Sequence, residues 1–393
     1  MRVVAVTKIF PNSLEPLSAP FNRQQFAALQ RLCDIEVIVP IPHIPGAAQI
    51  GKPRRAAMLA ALPPVETNYG ITTHIMRQMY LPKVGLAVAL PLFLSSLAPY
   101  RSVLARADVI LGTWAFPDGC AATLAAKMLG KPVVVKVHGS DVNVVAQDRF
   151  ARPQIARILP KANAVVAVSR ALADELASIG VPREKLHLVR NGVDTEVFYP
   201  RDRKHVRQDL GLALDGQIVT FVGRIEPQKG VADLMAAFET VVAQKPTTRL
   251  VLVGDGVLRN KLVEHPLVRR GVVLLVGPQP LAKVADYIAA ADVFTLPSHA
   301  EGTPNVVLEA LACGRPVVGS RVGGIPDVLA DSATGIVVEA KNPASLAAGL
   351  LEALDREWHE KVILAAGPTS WVESAQALYD VLVLARESQS SIR

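Results

Sequence analysis

Along the whole chain, short continuous runs of β-branched residues alternate with Ala/Leu-rich stretches of helical length. In the first half the runs fall at residues 3–6, 35–39, 109–112, 133–137 and 164–168. In the second they fall at 218–222, 250–253, 272–276, 293–296, 316–318 and 335–338. They do not alternate apolar with polar, so they read as strands buried on both faces. Helical stretches separate them at 22–32, 119–129, 171–179, 231–242, 281–289, 305–312 and 344–354, with a last one at 371–385. Buried strands alternating with helices predict an α/β fold with parallel sheets covered on both sides.

A length of 393 residues accommodates two or three domains of ordinary size. Midway, Asn191-Gly192-Val193-Asp194 marks a turn, followed by Phe198-Tyr199-Pro200 and a polar run at 201–207. The boundary is expected within 192–200: a first domain over 1–195, joined by the returning segment 370–393, and a second over 196–369. Ligands of open α/β sheets lie at the carboxyl ends of strands. Two doubly wound domains facing across a cleft therefore predict a two-substrate site.

Charge divides between the halves. Residues 1–200 hold 22 Lys and Arg against 13 Asp and Glu, whereas 201–393 hold 20 against 22. The basic first half suggests an acidic partner. Three widely spaced cysteines lack metal-site or CxxC spacing and fit a reducing compartment. No metal and no other cofactor is expected, and no nucleic acid. The amino-terminal apolar run is too short for a signal peptide. The longest apolar tract, 84–98, is shorter than the ~20 residues that span a bilayer and contains Pro91. A cytoplasmic location is expected, at the inner face of the membrane if there is peripheral contact. The tract 81–98, with Lys83, Arg101, Arg106 and nearby Lys52, Arg54 and Arg55, reads either as a core helix or as an interfacial segment touching anionic lipid.

Three stretches carry chemistry. In Ser298-His299-Ala300-Glu301-Gly302-Thr303-Pro304-Asn305, a strand ends, a small-residue turn follows, and a helix opens that carries Glu309. Helix openings present N–H groups to anions and hydroxyl oxygens. Glu301 and Glu309 stand too far apart for a close acid/base pair, and suit two parts of one polyhydroxylated ligand. In Gly223-Arg224-Ile225-Glu226-Pro227-Gln228-Lys229-Gly230, two cations on a loop after a strand suit a diphosphate. Neither the P-loop nor the dinucleotide spacing is present. In Val137-His138-Gly139-Ser140-Asp141, a strand delivers His138 to its carboxyl end, and Asp141 follows as a helix-cap candidate.

These motifs, with Gly254-Asp255-Gly256 and Asn191-Gly192-Val193-Asp194, resemble in order the GT4 family of retaining, nucleotide-sugar-dependent glycosyltransferases. The resemblance implies a GT-B fold, two Rossmann-like doubly wound domains with the C-terminal helix returning to the first. It implies donor-diphosphate binding by Arg224 and Lys229, a ribose-binding Glu309, and a sugar-gripping Glu301 with Gly302, Thr303, Pro304 and Asn305. His138 would stand near the reacting carbon, and Gln279 near the base. The implied reaction transfers sugar from a nucleoside diphosphate to a saccharide or lipid-linked acceptor, in polysaccharide or envelope glycan synthesis. One departure stands out. Many members carry a Gly-Gly pair in the loop after the first strand, but residues 11–21 contain no glycine. Rival readings are a nucleotide-sugar epimerase or hydrolase on the same frame, and a two-lobed solute-binding protein. Donor turnover without acceptor would favour the former, an export signal the latter.

Overall fold

The computed structural model describes residues 1–16, 18–43, 58–59, 61–79, 85–302 and 304–390. Thr303, Leu17, Lys52, Arg54, Arg55 and Lys83 lie outside them. The chain forms two units, Met1–Asn191 with Trp371–Arg393, and Gly192–Ser370. The division falls at Asn191/Gly192, just ahead of the expected 195/196.

In the first unit the strands are β1 (Arg2–Val6), β2 (Asp34–His43), β3 (Val65–Asn68), β4 (Ile71–Met79), β5 (Val109–Thr113), β6 (Val133–Lys136), β7 (Ala164–Ala167) and β8 (Leu186–Leu188). Their order is β3-β4-β2-β1-β5-β6-β7-β8, parallel except for the β3–β4 pair. Helix α1 (Pro20–Leu29) follows β1, and α2 (Ala89–Leu97) follows β4. The hairpin β3–β4 and the strand β8 were absent from the sequence expectation. The hairpin breaks the continuous-run rule because β3 is an edge strand, with Val65 exposed and polar residues after it. The returning helix Trp371–Ser390 buries Ala375, Leu378 and Leu382 in a cluster with Val3, Phe26 and Val37. The apolar tract resolves as a core helix over its described part: Leu90, Phe93 and Leu97 of α2 pack with Met76 and Ile110.

The second unit holds β9 (Ile218–Val222), β10 (Arg249–Val253), β11 (Val273–Gly277), β12 (Val293–Leu296), β13 (Val317–Ser320) and β14 (Gly335–Val338). The sheet is wholly parallel, in the order β11-β10-β9-β12-β13-β14. Helix α3 (Val231–Gln244) follows β9, and α4 (Asn305–Ala312) follows β12. This doubly wound order reverses direction between β9 and β12, where a crevice opens at the carboxyl ends. The second sheet follows from the continuous apolar runs: every residue of β9 and of β12 is buried. Among the described residues no helix is long and apolar enough to cross a membrane. The three cysteines are free and buried.

Candidate functional site

In the second unit the loops after β9 and β12 meet at the switch point. The β9 loop ends in a short turn, Pro227–Lys229, and Gly230 adopts φ +66° before α3 begins. A Cβ on Gly230 would stand 1.9 Å from the carbonyl oxygen of Pro297. Only glycine allows both this backbone and this approach. The backbone N–H of His299 donates to the Gln228 carbonyl at 2.8 Å, fastening one loop to the other. Lys229 Nζ thereby reaches Glu301 Oε1 at 2.5 Å, and Ser298 Oγ donates to the same oxygen at 2.7 Å. The Lys229 and Glu301 side chains are 22% and 11% exposed, so this ion pair is largely withdrawn from solvent.

The loop after β13 braces the turn from the far side. Gly323 has φ +52°, and a Cβ there would meet the Glu301 carbonyl oxygen at 2.1 Å. Gly324 N–H donates to the Gly302 carbonyl at 2.7 Å. Ser320 Oγ, at the end of β13, donates to the Ser298 carbonyl at 2.5 Å. Pro304 precedes α4, and Asn305 is its first residue. Glu301 thus lies outside the helix, and its separation from Glu309 is not a helical rise. Glu309, half-buried in α4, has no hydrogen-bond or ion-pair partner for its carboxylate among the described residues. Burial pushes its pKa up to about 7. Arg224 is 70% exposed and bonds Glu226 Oε1 at 3.0 Å. Gln279 is half-buried in the loop after β11, two strands from β9. His299 pairs its ring with Asp233 of α3 at 2.7 Å.

In the first unit the switch point lies between β1 and β5. His138 follows β6, and neither ring nitrogen has a hydrogen-bond partner among the described residues. Its ring packs on Phe21 (centroids 4.9 Å apart) and Trp114 (6.4 Å). Burial, and then the charge of Lys136, hold its pKa well below the usual 6.5. The imidazole is therefore neutral at ordinary pH. Asp141 is no simple helix cap. Fully buried, it accepts backbone N–H groups from His138 (3.0 Å), Gly139 (2.7 Å) and Ala115 (2.8 Å), clamping the loops after β5 and β6 together. Burial raises its pKa, opposed by those bonds.

Sequence reasoning missed several residues here. Lys136 is completely buried, its Nζ bonded to Gln25 Oε1 at 2.5 Å and Asn191 Oδ1 at 3.4 Å. Gln25 Nε2 in turn donates to Ser374 Oγ of the returning helix. Desolvation lowers the Lys136 pKa to about 7. A lysine inside the run Val133-Val134-Val135-Lys136-Val137 was the available signal. Buried Asp118 accepts from Lys8 N–H at 2.7 Å, while Lys8 Nζ lies 4.4 Å from the centre of the Trp114 ring. The glycine-free loop closes by other means. Asn12 Oδ1 accepts from Leu14 and Glu15 N–H, both at 3.0 Å, and Ala19 takes φ 45°.

Two doubly wound parallel domains, with the last helix returned to the first, define the GT-B glycosyltransferase class. The solved structures agree on the fold. Sucrose-phosphate synthase from Thermosynechococcus elongatus superposes with TM-score 0.68 at 21% identity, covering 100% of this chain and 98% of its own. The catalytic domain of starch synthase IV from Arabidopsis thaliana, bound to ADP and acarbose, gives 0.69 at 16%, covering 98% and 99%. Residues 35–197 match the family described as Glycosyltransferase Family 4, and 216–356 match Glycosyl transferases group 1. The putative teichuronic acid biosynthesis glycosyltransferase TuaC of Bacillus subtilis is 30% identical over 397 residues, 97% of this chain and 95% of the relative. Alpha-maltose-1-phosphate synthase of Mycolicibacterium smegmatis is 31% identical over 377 residues, 90% and 89% of the two chains. The chain belongs to the GT4 family and is a glycosyltransferase, an enzyme of the EC 2.4 class.

Proposed function

We propose that the second unit binds a nucleoside-diphosphate sugar and that the enzyme passes the sugar, with retained anomeric configuration, to a saccharide or lipid-linked acceptor in polysaccharide or envelope glycan synthesis. The observation that carries this reading is the Lys229–Glu301 pair at the β9/β12 switch point, with Arg224 on the same loop. When donor enters, Lys229 turns to the diphosphate and Glu301 to the sugar hydroxyls, with Gly302, Thr303, Pro304 and Asn305 around them. Glu309 takes the ribose hydroxyls, consistent with its lack of an internal partner, and Gln279 flanks the base. As the glycosidic C–O bond breaks, charge grows on the diphosphate, and two cations stabilise it without a metal. The acceptor hydroxyl attacks from the same face, and its proton passes to the departing phosphate oxygen. Neutral His138 is assigned to the neighbourhood of the reacting carbon, where it can donate or accept one hydrogen bond without adding charge.

Lys229→Ala should cut turnover by roughly ten- to a thousandfold, the cost of one transition-state charge contact. Near-normal steady-state turnover would place the diphosphate elsewhere.

The first unit is assigned the acceptor, and with it a peripheral contact with anionic membrane. Beside α2, an apolar cavity of about 310 Å³ lies between Leu94, Leu97, Leu104 and Met128, with Arg101 among its walls. That pairing of apolar surface and cation suits a lipid interface. Co-sedimentation with anionic vesicles in preference to neutral ones is the expected result; equal partitioning, or none, removes the membrane contact.

A further inference from the structure

The opposite edge of the second unit carries a second concentration of charge. Asp292 immediately precedes β12, Arg315 lies two residues ahead of β13, and Gly216 two ahead of β9. They stand at the amino-terminal ends of β9, β12 and β13, whose carboxyl ends lead to Gly223, Ser298 and Arg321. A strand of four or five residues puts about 15 Å between the two edges. Here a cavity of about 780 Å³ is lined by Arg201, Arg203, Lys204, Arg207 and Arg315, against Asp202, Asp292 and Glu360. A neighbouring cavity of about 270 Å³ shares Arg203, Asp292, Arg315 and Glu360 with it.

The carboxylates do not balance the cations. Asp292 is divided among Arg203, Arg207 and the backbone N–H of Ile218. Asp202 accepts the His205 backbone N–H at 2.7 Å, which engages it as a helix cap. Glu360 is half-exposed and only approaches Arg315, at 3.4 Å. Asp286, the partner of Arg201, lies outside the lining and also faces Lys283. Exposed Lys204 has no ion-pair partner among the described residues. The Nε–H groups of Arg201 and Arg315 are buried without an acceptor among the described residues, an arrangement that native interiors rarely tolerate. Burial, and then the neighbouring Arg203, push the Arg315 pKa down, opposed by Glu360, Cys313 and Asp292.

Clustered guanidiniums match the oxygens of a phosphate group, each as a two-pronged donor. We propose that this cavity is a second binding site, for a phosphorylated small molecule whose phosphate lies among Arg203, Lys204 and Arg315. It shares no residue with the Arg224–Lys229 loop and does not depend on the donor reading.

Inorganic pyrophosphate, titrated calorimetrically into the full chain, is the probe. Because the donor edge also carries cations, Lys204→Glu is compared with Arg224→Ala. Lys204 is exposed and unpaired, so reversing its charge should leave the melting curve intact. Lys204→Glu should weaken pyrophosphate binding roughly tenfold or more through one lost charge contact, and Arg224→Ala should leave that binding in place. If wild type shows two classes of site, each variant should remove a different one. Binding lost entirely in Arg224→Ala and unchanged in Lys204→Glu overturns the proposal, as does the absence of any binding. Phosphatidylglycerol vesicles separate the sources of the phosphate. Co-sedimentation abolished by Lys204→Glu, with no pyrophosphate heat, would assign the site to a lipid headgroup and overturn the small-molecule ligand.

Discussion

The two switch points solve opposite electrostatic problems. At the β9/β12 edge, charge is kept as charge: Lys229 and Glu301 neutralise one another across loops locked by Gly230 and Gly323. At the β1/β5 edge and the strands beside it, polar groups are taken out of water with some of their atoms left unbonded. Among the described residues, His138 lacks bonds to both ring nitrogens, Asp118 Oδ2 and Trp114 Nε1 have no partner, and Lys136 rests on two amides. The lesson is one of cost. A paired site is inexpensive to hold until a ligand exchanges partners with it. An unpaired buried site carries its desolvation penalty permanently and answers to pH instead.

The largest break in this contrast should come from Gly230→Ala. It places a Cβ against the Pro297 carbonyl at positive φ, and should cost about 3 kcal/mol or more in denaturant unfolding. A loss below about 1 kcal/mol would mean that the two loops are not rigidly locked.

Lys136 sharpens the other side. Its pKa falls from the usual 10.5 to about 7 on folding, so between those values the unfolded chain binds more protons than the folded one. Stability then rises with pH across that window, by at most ~1.4 kcal/mol per unit. Below pH 7 the penalty is fully present. Lys136→Met should flatten this rise, changing the difference in unfolding free energy between pH 7 and pH 9 by roughly 2 kcal/mol. Parallel curves for the two proteins would show that Lys136 stays charged and solvated.

Glu309 is the exception at the β9/β12 edge, a carboxylate with no partner among the described residues beside the paired Lys229 and Glu301. Its pKa rises from the usual 4.5 to about 7, so the folded state holds the extra proton between those values, and the penalty is fully present above pH 7. Glu309→Gln should therefore stabilise the free enzyme above pH 7 by on the order of 1 kcal/mol. It should also weaken donor binding about tenfold, since an amide offers one acceptor oxygen where the carboxylate offers two. A variant that gains stability and keeps full donor affinity by calorimetry would detach Glu309 from the ribose.

Most of the fold was legible because the evidence for it is local. A buried parallel strand needs continuous apolar residues, and its helix needs its own period, so eleven of the strands announced themselves. The strands β3, β4 and β8 did not: β3 and β8 are edge strands, where burial on both faces is not required, and β4 mixes buried with exposed residues. The pairing of Lys229 with Glu301 could not be read from residues 72 positions apart; a glycine approaching a carbonyl made it. Nor does the segment 11–21 disclose that Asn12 and Ala19 can close a loop where glycine is usual.

By itself the sequence determined the class of fold, the order of the motifs and the residue types that bear charge, since each depends on composition and spacing along the chain. Only the tertiary structure decided which charges are paired, which are stranded in a dry interior, and which gather at the far edge around Arg315. Pairing and desolvation are set by distance and by the exclusion of water, and both come from how the strands are ordered across the sheet rather than along the chain.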